Sequence, residues 1–203
     1  MGNARSISTG MSFIPKQYKS ATTGGNAGPY MSPSKVKADG QMRFALLQEE
    51  PLCYFECWGE PVNGGDPKPF RFADEPSPAD IEAEMGPNYQ RRENDGKPEP
   101  VKFALSVPIY NFDAGKVQTF SMTQKGLQKE LDEISQLEDY SDLLCWDFIL
   151  TKAATVSPDM YGLRPVPRKK DTQKAIDAAW SAAVDNGYDI NRMLTGGQPH
   201  IRD

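Results

Sequence analysis

The sequence predicts a mainly β domain in which one helix plugs the end of a barrel of five or six strands. The first observation behind this is an alternation of apolar and polar side chains from Val101 to Tyr110, which is typical of a half-buried strand. The second is an apolar residue at every third or fourth position from Leu127 to Leu137, which is typical of an amphipathic helix. A chain of 203 residues is long enough for one such domain with extensions at its ends.

Two strands are predicted before this pattern, at residues 42–47 and 52–58. Successive side chains of a strand point to opposite faces, so the second strand has one apolar and one mixed face. The apolar face consists of Cys53, Phe55 and Cys57. The mixed face, which we expect to be the exposed working surface, consists of Tyr54, Glu56 and Trp58.

Residues 59–100 are rich in glycine, proline and acidic residues, which predicts a long loop that leaves the sheet. In the strand that follows, five alternate residues are expected to face the core: Val101, Phe103, Leu105, Val107 and Ile109. Gly115 allows a tight turn with positive φ, so residues 116–122 are predicted to return as the hairpin partner.

Thr123 is predicted to cap the amphipathic helix. Two more strands follow, at residues 146–152 and 160–166. This order of strands, helix and final strand pair is close to that of an OB-type barrel, which binds single-stranded nucleic acid across one face.

The two ends of the chain are predicted to lie outside this domain, which spans residues 39–167. Residues 1–38 are basic and rich in small polar residues, and we expect a flexible arm. Residues 168–203 are predicted to form a C-terminal helix and tail, with Gly187 ending the helix. The helix has an apolar stripe that must dock either on its own barrel or on a neighbouring protomer; we expect the second, which makes a homo-oligomer. The stripe consists of Ile176, Ala179, Trp180 and Ala183.

The chain resembles the OB-fold single-stranded DNA-binding proteins of tailed bacteriophages over roughly residues 30–167. The segments that carry the resemblance are 30–40 leading to 43–47, 54–58 followed by 68–71, 107–111 with 116–118, and 146–150. The resemblance implies a protein that coats exposed single strands during phage DNA replication and recombination, in the cytoplasm of the infected host cell. It also implies phage replication enzymes as partners. Members often end in an acidic tail that recruits such enzymes, whereas this chain ends almost neutral; the acidic residues 130–142 are an alternative docking surface.

Single-stranded DNA is held by aromatic rings that stack on bases and by cations that neutralise phosphates. The predicted stacking residues are Tyr54, Trp58, Phe70 and Tyr110, and the predicted phosphate contacts are Arg43, Lys68, Arg71, Lys102 and Lys152. The net charge of −5 opposes a nucleic-acid partner, but acidic residues are concentrated in two blocks, 74–84 and 130–142. The remaining surface can therefore be locally positive.

The alternatives to binding are weaker. A zinc site would need Cys53 and Cys57 together with Cys145 and His200, but residues four apart on a strand are ~13 Å from one another. A nuclease would need Glu56, Asp147 and Lys152 to converge, and no other catalytic motif is present. We therefore expect a protein that is not an enzyme and has no metal or cofactor.

The strongest alternative from another class is a protein-interaction or structural module without nucleic-acid binding. In that case the aromatic strand is merely part of the core. The chain has no apolar run near the roughly 20 residues of a membrane helix, so we expect a soluble protein without a membrane partner.

Overall fold

The structure is a computed structural model that describes residues 28–200. Most of the predicted flexible arm, residues 1–27, lies outside the described residues. The strands are β1 (Tyr30–Met31), β2 (Gly40–Leu46), β3 (Leu52–Pro61), β4 (Lys68–Phe72), β5 (Tyr89–Arg91), β6 (Glu93–Asn94), β7 (Lys97–Pro98), β8 (Lys102–Asn111), β9 (Lys116–Met122), β10 (Trp146–Lys152) and β11 (Tyr161–Pro167). The α-helices are α1 (Pro78–Met85), α2 (Lys125–Ser135) and α3 (Gln173–Asp185).

Nine of the strands form one mixed sheet, so the prediction of a mainly β domain is confirmed. The main path of the sheet is β1-β9-β8-β2-β10-β11. Strand β3 pairs with β8, and β4 and β5 each pair with β3. The pair β1–β9 is parallel, and the other pairs are antiparallel. Strands β6 and β7 form a separate two-stranded ribbon.

Strand β8 has two different neighbours along one edge. Its residues 109–111 pair with β2, whereas residues 102–106 pair with β3. Val107 and Ile109 face the main core, as the alternation predicts. Phe103 does not: it is 39% exposed and packs edge-on against Phe55, because the first half of β8 leaves the core together with β3.

The main core lies between the sheet and α2. Leu127 and Ile134 of the predicted apolar stripe are buried in it, together with three stacked or tilted rings, Phe44, Phe120 and Phe148. The predicted cap is wrong: the residue before the helix is Gln124, and its side chain makes no capping hydrogen bond.

A closed barrel is not found among residues 28–200, because β1 and β11 end the strand path and do not pair with each other. The free edge of β11 has few donors to offer. Pro165 and Pro167 have no N–H, and the N–H of Leu163 donates to Glu130 Oε2 of α2 at 2.8 Å. The helix thus occupies the edge that a closing strand would need.

The predicted long loop, residues 59–100, is instead a series of short elements. Strand β3 continues to Pro61, and β4 and β5 both pair with it. Helix α1 begins at a capping box in which Ser77 Oγ accepts from the N–H of Asp80 and the Asp80 carboxylate accepts from the N–H of Ser77. The loop prediction failed because these elements are short and separated by glycine and proline.

The folded region also begins earlier than the predicted boundary at residue 39. Met31 and Val36 are buried in the main core, and β1 pairs with β9. A strand of two residues is too short to produce a periodic pattern, so this part was assigned to the arm.

The C-terminal helix docks on its own sheet, which corrects the expectation of docking on a neighbouring protomer. Ile176 is buried with Ala45 and Leu47 of the sheet, and Trp180 packs at the edge of this cluster. Gly187 ends the helix with φ of +77°, as predicted, and the N–H of the next residue, Tyr188, bonds back to Ala183 O. Since the sheet covers the stripe, the argument for a homo-oligomer through this helix no longer holds. None of the helices within residues 28–200 is long and apolar enough to cross a membrane.

Replacing Ile176 with Ala is expected to lower the free energy of unfolding by about 2–5 kcal/mol, because this side chain is 3% exposed and fills the space between α3 and the sheet. Val184→Ala on the same helix is the control, because Val184 is 49% exposed. Chemical denaturation measures both. Equal effects of the two substitutions, or a change of mass in solution for Ile176→Ala, would contradict intramolecular docking.

Candidate functional site

A cleft of about 720 Å³ lies where three distant segments meet. Strands β3 and β4 form its floor, residues 30–35 form one wall, and residues 193–198 form the other. The end of β9 and the first residues before α2 complete it with Ser121, Thr123 and Gln124. We refer to this concavity as the cleft.

Five of the nine predicted binding residues line the cleft: Tyr54, Trp58, Lys68, Phe70 and Arg71. They come together because β4 pairs directly with β3, in a register that places Arg71 opposite Glu56 and Pro69 opposite Trp58. The sequence prediction had placed these two segments on a strand and a loop. The other four predicted residues, Arg43, Lys102, Tyr110 and Lys152, do not line the cleft.

Trp58 is the aromatic residue best placed for stacking. It is half-buried, lies on the same face of β3 as Glu56 and lines the cleft. A ring held along one side and open on the other can stack on a flat ligand without reorganising the fold.

Tyr54 is core rather than open surface, so the expectation of an exposed working face is wrong for this residue. Its side chain is 1% exposed, and its hydroxyl is 2.9 Å from Ser106 Oγ. Ile190 and Met193, in a 3-10 helix near the C-terminus, pack over it. Alternation along one strand shows which face a residue occupies, but it does not show what a distant segment places on that face.

Phe70 is also mainly structural. It is 5% exposed and packs with Cys57, Ile81 and Met85 under α1. Lys68 is exposed, and its ammonium lies 4.5 Å from the ring centroid of Phe70 and 4.4 Å from that of Tyr89. These rings hold the cation at the edge of the cleft.

Arg71 and Glu56 form an ion pair on the cleft floor, with Nε and Oε2 3.6 Å apart. The Arg71 guanidinium also lies 5.7 Å from the ring centroid of Tyr54. Burial raises the pKa of the Glu56 carboxyl, and the cations of Arg71 and Lys102 counteract part of this rise. The floor thus contains a cation and a carboxylate that is partly removed from water.

Arg43 belongs to a buried ion cluster instead. Asp147 is fully buried, and its two oxygens accept from Arg43 Nη2 at 2.6 Å and from Arg168 Nε at 2.8 Å. Arg43 also lies over the ring of Phe112, 5.1 Å from its centroid. This cluster joins β2, β10 and the start of the C-terminal segment, so Arg43 serves the fold.

The remaining predicted residues have other partners. Lys102 pairs with Glu99 at 2.6 Å, and Lys152 donates to Ser34 O at 2.9 Å. Tyr110 packs beside α3 and against Phe112. Glu56, Asp147 and Lys152, the three residues considered for a nuclease, contact different groups and do not form one cluster.

Several cleft residues were missed by the sequence analysis. Lys35 lines the cleft and donates to Tyr30 O at 2.6 Å, while Glu84 of α1 adds a carboxylate. Gln198 accepts from the Tyr30 hydroxyl at 2.5 Å and joins the two walls. No local pattern marks these residues, because their positions depend on how the two ends of the chain pack together.

His200 fixes the C-terminal wall to the sheet. Its Nε2 is 3.1 Å from Thr119 Oγ1, which also lies 3.0 Å from the Tyr188 hydroxyl. Burial lowers the pKa of His200 and, as the main cause, raises the pKa of Tyr188 to about 12. Within residues 28–200, no group of three or more His, Cys, Asp or Glu side chains could hold a metal ion; Cys57 is buried, and Cys53 and Cys145 are exposed.

Comparisons of the chain with protein-family models, with curated proteins and with solved structures found no match. The proposals below therefore rest on the residues and their geometry, and on the resemblance of the sequence segments given above.

Tyr54→Ala is expected to destabilise the protein by about 3–5 kcal/mol, because it removes a fully buried ring. Trp58→Ala is expected to cost clearly less, because the Trp58 ring is half-buried beside the cleft. Thermal or chemical unfolding of the two variants measures the difference. If Trp58→Ala is the more destabilising of the two, Trp58 rather than Tyr54 is the core ring.

The pKa of the single histidine is expected to lie below its ordinary value of 6.5 in the folded protein. Because the fold favours the neutral ring, the stability that His200 contributes is present above pH 6.5 and is lost as the pH falls below that value. An NMR titration of the imidazole signals measures the pKa directly. A value at or above that of the unfolded chain would show that the contacts of His200 with Thr119 and Tyr188 do not persist in solution.

Proposed function

We propose that the protein binds single-stranded DNA without strong sequence preference and holds the unpaired strand in the cleft. The observation that supports this best is that Trp58 lines one cleft together with Lys68 and Arg71. Arg71 shares a face of the sheet with Trp58, whereas Lys68, opposite Gly59, is on the other face and lines the cleft from the edge strand β4. A ring and cations that line one cleft provide the two interactions that unpaired strands offer, base stacking and phosphate neutralisation.

Each of these groups has a distinct role in the proposed complex. Trp58 stacks on a base, an interaction that contributes ~1–3 kcal/mol per base. Lys68 and Arg71 neutralise phosphates on one side, and Lys35 does so on the opposite wall. Every base has a flat π-face, so stacking of this kind tolerates any sequence.

The sheet supports an OB-type architecture for this proposal. In chain order, the amphipathic helix α2 follows β9 and precedes the final strand pair β10–β11, which is the position of the plug helix in the predicted order. Helix α2 packs against the free edge of β11, which is the edge that would pair with another strand in a fully closed barrel.

A role in phage DNA replication and recombination, without catalysis, is proposed from the resemblance of the sequence. Within that role, phage replication enzymes are the proposed protein partners, in the cytoplasm of the infected cell. The outer face of α2 is the surface proposed for them, because Asp132 and Glu133 are exposed there next to the exposed Leu137.

A protein-interaction module is the second candidate. The burial of Tyr54 favours it, since this candidate requires the aromatic strand to be core. The carboxylate of Glu56 on the cleft floor also opposes phosphates and would suit a basic peptide.

Binding of oligothymidylate is expected to quench tryptophan fluorescence through Trp58, because only this tryptophan lines the described cleft. Trp58→Ala should weaken single-strand affinity by about 5- to 150-fold, which corresponds to the loss of ~1–3 kcal/mol of stacking. Fluorescence titration and a gel shift measure these effects.

The matched control is Trp180→Phe, because Trp180 packs between α3 and the sheet, outside the cleft. This variant should keep both the quenching and the affinity, whereas Trp58→Phe should lose most of the quenching. Equal affinity of the wild type for single- and double-stranded DNA, or no binding of either, would refute the proposal and favour the protein-interaction module.

A further inference from the structure

Glu56 lies in a row of alternating charges that crosses three strands. Its direct cross-strand neighbours are Arg71 on β4 and Lys102 on β8, so all three side chains share one face of the sheet. Lys102 is paired in turn with Glu99, at 2.6 Å. Glu56 is therefore the anion that faces Arg71 on the cleft floor.

The pair between Glu56 and Arg71 is incomplete as a hydrogen-bonded contact. The 3.6 Å between Nε and Oε2 is longer than the usual limit of about 3.2 Å for a hydrogen bond of this type. Arg71 Nε is buried, and it has no hydrogen-bond acceptor among the described residues. A buried donor of this kind is costly to leave unbonded, so the contact with Glu56 satisfies Arg71 only in part.

We propose that Glu56 is an internal competitor of the DNA phosphate: it neutralises Arg71 while the cleft is free and gives up Arg71 when a phosphate binds. This inference rests on the proposed function, because it assigns a role in phosphate binding to a carboxylate of the same cleft. Glu56 contacts Arg71 rather than the ligand, so it acts as a positioning residue that sets the affinity.

The exchange has a consequence for protons. In the free protein, Arg71 and Lys102 counteract the effect of burial on the pKa of Glu56, whereas Glu99 acts in the same direction as burial. A bound phosphate neutralises Arg71 and adds a negative charge nearby, so the pKa of Glu56 rises further in the complex. Binding is then accompanied by proton uptake, and it becomes tighter as the pH falls toward the pKa of Glu56.

The test compares Glu56→Gln with Glu84→Gln in binding to a short oligothymidylate. Both substitutions remove one negative charge from the cleft lining and keep the size of the side chain, but only Glu56 is paired with Arg71. Glu56→Gln should tighten binding by about three- to tenfold, the equivalent of one partly buried ion pair, and Glu84→Gln should change it less than about twofold. Circular dichroism and thermal unfolding check that both variants are folded.

A second measurement needs no variant. Isothermal titration calorimetry of the wild type, in buffers of different ionisation enthalpy and at several pH values, reports the protons taken up on binding. Uptake should be present in the wild type and in Glu84→Gln, and it should be reduced in Glu56→Gln. His200 is also ionisable, but it is unchanged in all three proteins and contributes equally to each.

The outcomes distinguish a failure of the competitor role of Glu56 from a failure of the proposed function. The competitor role is overturned if the folded variant Glu56→Gln binds the oligothymidylate no more tightly than the wild type and the wild type takes up no protons on binding. The proposed function then still stands. Equal tightening by both variants also overturns it, because net charge alone would then explain the effect. A wild type that binds no single strand refutes the proposed function and this inference with it.

Discussion

The divided edge of β8 is the constraint on which the rest of the structure depends. At any one position, a strand edge can pair with one neighbour only, so β2 and β3 occupy separate halves of β8. The change of partner occurs around Pro108, whose C=O accepts from the N–H of Leu47 on the β2 side. Since proline has no N–H, it fits the position where one partner strand ends and the next has not begun.

This division creates both the core and the cleft. The half of β8 that pairs with β2 faces α2 and closes the main core around Phe44 and Phe148. The other half leaves that core with β3, and β4 then extends the sheet outward, so a second surface remains to be covered. The C-terminal segment covers the part around Tyr54, and the uncovered part next to Trp58 is the cleft.

The features that could be predicted from the sequence are those fixed by local chemistry. The stripe of Leu127 and Ile134 requires a covered face, and glycines at positions 115 and 187 allow the positive φ angles of a hairpin turn and a helix end. The burial of Tyr54 and the docking of Ile176 depend on contacts more than 100 residues apart, to which no local periodicity responds. For the same reason, Arg43 could not be excluded from the cleft, because its partner Asp147 is 104 residues away along the chain.

Each cation of the cleft already has a partner within the protein. Lys35 donates to a backbone carbonyl, Lys68 lies over two rings, and Arg71 faces Glu56. The net binding free energy of a phosphate of the proposed ligand is therefore the difference between two terms: the interaction of the phosphate with the cation, and the internal contact that it displaces. The release of counterions adds to this difference. The contact of Arg71 is the one with incomplete geometry, because its Nε–H lacks a hydrogen-bond acceptor within residues 28–200. It is also the only one of the three contacts in which the internal partner is itself an anion, so the carboxylate of Glu56 determines how much an anionic ligand gains at Arg71.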